Sequence, residues 1–147
     1  MKLSSIERAL APIVLGSFAP LATPSGFSVG PGEVDWTGGL DRFLSAASDK
    51  ARLGIAVAMT LFFFAPIFTL GRACTLARAT VEERALAMER LLSHRIFLVR
   101  EMALLVKLVA CMAMFRVASL RARTNYDDPE HVAGKPENRA RLRVLAA

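Results

Sequence analysis

Residues able to ligate a metal or move a proton are few in this sequence, and their spacing suits neither task. The two histidines, His94 and His131, lie far apart, and neither has a second histidine at i+3 or i+4 to put two imidazoles on one helix face. A zinc or di-iron centre is therefore not expected. Adjacent carboxylates occur twice. Glu82 and Glu83 follow Thr80, so that Thr80 and Glu83 form a capping box and both charges favour a helix N-terminus. Asp127 and Asp128 precede Pro129 in the segment RTNYDDPEH, where the Asp-Pro sequence favours a turn. Successive side chains in a turn point apart, so neither pair reads as a general acid with its base. Cys74 and Cys111 stand alone in apolar surroundings without a C-x-x-C, and read as small buried thiols.

Motifs for cofactors and nucleophiles fail as well. The glycine-rich stretch GPGEVDWTGG lacks the G-x-G-x-x-G spacing and follows no strand, so it does not cradle a dinucleotide. No G-x-S-x-G elbow is present. The expectation is a chain that is not an enzyme by itself, with no catalytic residue, no metal and no cofactor of its own. The net charge of +6 is spread along the chain, and Trp36 and Tyr126 are the single Trp and Tyr, so the basic stripe and aromatic platform of a nucleic-acid binder are missing. Anionic lipid head groups suit this charge better.

The elements that must position these residues are helices. At 147 residues the chain allows one domain, here assigned to residues 1–130, with a basic tail over 131–147. Hydrophobic residues make up 54% and the mean hydropathy is +0.40, more apolar than a typical soluble domain, so the surplus must face a membrane or a partner. Ser4 or Ser5 can cap a helix over 6–15, although Pro12 interrupts its apolar run. Glu7, Pro12 and the lack of a clean A-x-A argue against a cleaved signal peptide. A breaker-rich loop then runs to Gly39, followed by a short helix over 40–47 with Asp41 near its start. The uncharged run LGIAVAMTLFFFAPIFTL, residues 53–70, would be about 27 Å long as one helix and just reaches a membrane-span length. Pro66 inside it should kink or end that helix near Ala65.

From Thr80 a helical pattern without Gly or Pro continues to about residue 121. At 100° per residue, Leu86, Leu91, Leu98, Met102, Leu105, Val109 and Met112 fall on one side, and Glu89, Arg90, Ser93, His94, Arg100, Glu101 and Lys107 on the other. The fold class is thus all-α, about four helices. The apolar pair over 53–70 and 80–121 is inserted in a membrane, associated with one, or docked on a partner. Arg84, Arg90, Arg95 and Arg100, at steps of five or six residues, cannot make one continuous stripe. They read as a solvated connector or as contacts to lipid phosphate or a partner. The positive-inside rule conflicts with a two-span hairpin, because the tail is basic too.

The order of these features resembles a known family. A phenylalanine-rich helix leads to the box Thr80, Glu83 and Arg84, then to Arg90, Leu91, Ser93 and Arg95, then Lys107, and then the turn Tyr126, Asp127, Asp128 and Pro129. This is similar to the N-terminal helical region of long-chain alcohol oxidases of the glucose-methanol-choline flavoprotein family, and to the small gluconate-dehydrogenase subunit-3-like chains of membrane flavoprotein dehydrogenases. The resemblance covers about residues 6 to 130. It implies a non-catalytic accessory or anchoring subunit of a flavin-dependent alcohol, sterol or sugar dehydrogenase, associated with a bacterial inner membrane. FAD would be on a partner flavoprotein chain, because this sequence ends at Ala147 without a flavin domain. Arg84, Arg90, Arg95, Arg100, Lys107 and Tyr126 would contact the partner or lipid. The alternative is a stand-alone helical-hairpin membrane protein acting as a scaffold or assembly factor.

Overall fold

The structure is a computed structural model that describes residues 4–20, 27–30 and 32–124. Among them it is all-helical: α1 (Ser5–Val14), a 3-10 turn (Gly16–Phe18), α2 (Trp36–Ala46), α3 (Asp49–Phe63), α4 (Ala65–Thr69), α5 (Val81–Leu92), α6 (Phe97–Met114) and α7 (Ala118–Arg123). The all-α class holds, with more and shorter helices than the four expected.

Local chemistry sets most of the boundaries. Ser4 caps α1 by accepting from the Glu7 N–H at 3.2 Å, while the Glu7 carboxylate accepts from the Ser4 N–H at 2.7 Å. Pro12 does not end α1: it lies on the exposed side, and Leu10, Ala11 and Val14 are buried opposite. Helix α2 begins four residues earlier than expected, because the Asp35 carboxylate accepts from the Gly38 N–H at 2.8 Å and draws both glycines into the helix. Asp41 consequently falls beyond the first turn and does not cap the helix dipole. Gly39 is required where α2 crosses α6, since a Cβ there would lie 2.6 Å from the Ala113 Cβ.

The uncharged run over 53–70 is two helices rather than one. Pro66 has no N–H to continue the ladder, and Phe64 at φ −95°, ψ 6° ends α3 and opens α4. The break leaves the Phe63 carbonyl free to accept from the Leu76 N–H at 2.8 Å, which pins the following loop. The expected helix over 80–121 is likewise three. Its first break has no Gly or Pro. The Ser93 hydroxyl donates to the Glu89 carbonyl at 2.9 Å, and His94 Nδ1 accepts from the Ile96 N–H at 3.2 Å, so side chains take over backbone partners at the corner. Because the corner resets the phase, Leu98 is exposed rather than in line with Leu91 and Val109. The second break, after Met114, is closed by the Arg121 guanidinium donating to the Phe115 carbonyl at 3.1 Å.

Helix α6 is the hub, packing against α2, α3, α5 and the 3-10 turn, while α1 lies on α2 and α3, and α4 on α5. The main core joins Leu10 and Val14 of α1, Leu40 of α2, Met59 and Phe62 of α3, Leu91 of α5 and Val106 of α6. A smaller cluster of Val34, Ala113, Met114 and Leu120 seals the α6–α7 end. Among the described residues, no helix is long and apolar enough to cross a membrane. A single-helix transmembrane span, one of the settings expected for the apolar pair, is therefore not part of this structure.

Candidate functional site

The unusual feature of α6 is which apolar residues it buries. Its inner seam is made mostly of small residues, Ala103, Val106, Val109, Ala110 and Ala113, with Met114 at its end, while Leu104, Leu108, Met112 and Phe115 point outward. At 100° per residue these four lie within about 80° of one another, one continuous stripe. Leu104 is 45% exposed, Leu108 54% and Met112 51%. Small residues inside let α6 approach α2 closely, as at Gly39 and Ala113, and push the large side chains out. A second stripe runs along α3 and α4 through Leu53, Val57, Leu61, Phe64, Ile67 and Phe68, all exposed, and no charged residue occurs from Leu53 to Gly71. Being about half exposed, each such side chain forgoes roughly half of the 1.5–3 kcal/mol that full burial would supply. Apolar surface of this kind is available for contact with another apolar surface.

The cations singled out in the sequence divide into two groups. Arg84 donates to the Ala79 carbonyl at 3.1 Å and to the Ala77 carbonyl at 3.0 Å, and Arg90 donates to the Thr69 carbonyl, so both tie α5 to the preceding segments. Arg100 packs over the Phe97 ring, 5.4 Å from its centroid, and lies 4.0 Å from the Glu101 carboxylate. Arg95 and Lys107 are exposed and have no partner among the described residues. Thr80 and Glu83 form a capping box at α5, and Glu83 also pairs with Arg72. Tyr126, Asp127, Asp128 and Pro129, and the tail over 131–147, lie outside the described residues.

Two arrangements lie outside the sequence expectations. The first is a groove of about 580 Å³ between α2 and the α6–α7 corner, floored by Phe43, Met112, Ala113 and Phe115 and edged by Arg42, Arg116 and Arg121. Its sequence signal is the stretch Met102–Thr124, which holds cations and no carboxylate. The second is a latch at Glu33. Its carboxylate accepts from the Gly30 N–H at 3.0 Å, from Arg123 at 2.8 Å and from the Ser119 hydroxyl at 3.3 Å. The Gly30 N–H, and then the Arg123 charge, hold the Glu33 carboxyl below its ordinary value, against a partial desolvation that raises it.

Cys74 and Cys111 are free thiols, half-buried rather than fully enclosed. Among the described residues no three of His, Cys, Asp or Glu come together as a metal cluster. No protein-family model, curated protein or solved structure matches the chain.

Proposed function

We propose that this chain is a non-catalytic accessory subunit that attaches a flavin-dependent dehydrogenase of alcohols, sterols or sugars to a membrane. The observation that carries the membrane and partner half of this reading is the inverted packing of α6, with alanines inward and Leu104, Leu108, Met112 and Phe115 outward. The flavoprotein half rests on the ordered motif from Thr80 through Ser93 to Pro129 that resembles the helical region of such enzymes. The chain's work is mechanical. Its core of α1, α3, α5 and α6 gives a rigid body whose two apolar stripes leave one for lipid and one for the partner, with FAD on that partner.

The test is affinity capture of the tagged full chain from native membranes. Co-purification of a large flavoprotein, seen as flavin absorbance in the eluate, is the expected result; capture with no flavoprotein overturns the reading. Carbonate extraction addresses the alternative of a stand-alone hairpin. Release is expected for a peripheral subunit with no spanning helix, and full retention would favour the hairpin scaffold.

A further inference from the structure

We propose that the corner between α5 and α6 enters the head-group layer of an anionic bilayer, with Ile96, Phe97 and Leu98 in the apolar boundary and Arg95 and Arg100 at the lipid phosphates. The inference rests on the reading that the chain works at a membrane surface and names the element that does so. It does not depend on the identity of any partner enzyme.

The corner gathers apolar surface that the core does not bury. Ile96 is 54% exposed, Phe97 65% and Leu98 67%, three neighbours in sequence. Ile96 holds the N-cap position of α6, where Ser4, Asp35, Ser48 and Thr80 cap α1, α2, α3 and α5 through their side chains. An apolar residue there forgoes a cap, so helix stability does not account for it. Leu92 and Val99, on either side, pack against the main core and hold the corner in place.

Shape and charge together select lipid as the occupant. Phe97 and Leu98 project about 100° apart around α6, so a rigid flat surface meets one at a time, whereas a fluid layer closes around both. From Arg90 to Arg100 the sequence holds three arginines and no carboxylate. Arg90 is taken up by the Thr69 carbonyl. Arg95 is exposed with no partner among the described residues, and Arg100 reaches over the Phe97 ring, which keeps its charge beside the apolar point. Two acids flank the segment: Glu101 lies 4.0 Å from Arg100, and Glu89 is exposed near the end of α5. Arginines beside exposed apolar side chains match a surface that sets anionic phosphate over hydrocarbon.

Glu101 also limits the depth of entry. Phe97, Leu104 and Leu108 fall within about 40° of one another on α6, and Glu101 stands beside that line between Phe97 and Leu104. It comes about 6 Å along the helix from Phe97, so entry ends after roughly one turn, a depth usual for interfacial binding.

The experiment is flotation of the purified full chain with vesicles of phosphatidylcholine and of phosphatidylcholine plus phosphatidylglycerol. Stronger binding to the anionic vesicles is expected, weakened about thirtyfold by F97A/L98A and about fivefold by R95A. I6A/V81A truncates apolar side chains that are as exposed elsewhere and should change binding less than about twofold. The indole added by F97W, read above the Trp36 background, should be quenched by lipids brominated near the top of the acyl chain and not by lipids brominated near its end. Circular dichroism melts report whether each variant is folded, and if F97A/L98A is not, the F97W quenching decides. Unchanged binding by folded F97A/L98A, an equal loss in I6A/V81A, or no quenching of F97W would each overturn the proposal. So would a dimer of the parent that F97A/L98A dissolves, since the corner would then belong to a second copy. No flavoprotein is present in this assay, so its failure leaves the capture experiment untouched, and failure of capture leaves lipid binding standing.

Discussion

Glu33 shows what single residues do here that spacing cannot reveal. It joins the segment before α2 to α7, meeting Arg123 across a sequence separation of 90 residues. Its pKa is lower in the folded chain than in the unfolded one, so its stabilising effect is complete above the ordinary carboxylate value and is lost as pH falls through the folded value. E33Q should therefore lower the thermal midpoint at neutral pH, and its gap from the parent should close as the pH is taken below about 4. A gap that stays constant on acidification would show that the carboxylate charge is not what holds the latch. Thr80 and Glu83 are the opposite case. Their partners are three residues away, so the capping box could be read from four letters of sequence.

At the scale of elements, the capping signals also explain why boundaries were more legible at some helices than at others. The starts of α1 and α5 follow from short polar-to-backbone bonds. The start of α2 is not legible in the sequence, because Gly38 and Gly39 look like loop residues until the Asp35 cap and the close approach to Ala113 are seen together. The corner between α5 and α6 is hidden in the sequence for a different reason: Ser93 and His94 are tolerated inside helices, and their preference for local backbone partners takes effect together with the packing that turns α6 across α2 and α3. Because the α5 cap is local and exposed, T80A should cost about 0.5–2 kcal/mol in denaturant unfolding with the fold retained. A larger loss with a changed denaturant slope would mean that Thr80 also holds the Arg72–Glu83 pair and the loop before it.

For the whole molecule, the sequence conveyed apolar surplus and helical class, and the structure shows where the surplus goes. Periodicity counted Leu98 and Met112 with the core, because a single unbroken phase was carried from residue 80 onward; the break at the corner and the alanine seam of α6 turn them outward. Since Leu104 and Leu108 contribute little to the core, L104E/L108E should stay within about 0.5 kcal/mol of the parent per site in stability. The same variant should lose membrane or partner attachment and need less detergent to remain monodisperse, as followed by gel filtration. A collapse of the fold instead would place this stripe inside the structure after all.

The break at Phe64 also bears on how the chain comes to be folded. As it leaves the ribosome, the run over 53–70 presents eighteen residues without a charge, the kind of segment that insertion machinery reads as a span. In the finished protein the same run gives Ile55, Ala58, Met59 and Phe62 to the core and is divided at Phe64 between the end of α3 and the short α4. Bilayer insertion and folding thus compete for one set of side chains. Helix α1, which packs on α3 and precedes it in the chain, supplies part of the surface against which the folded route buries those side chains.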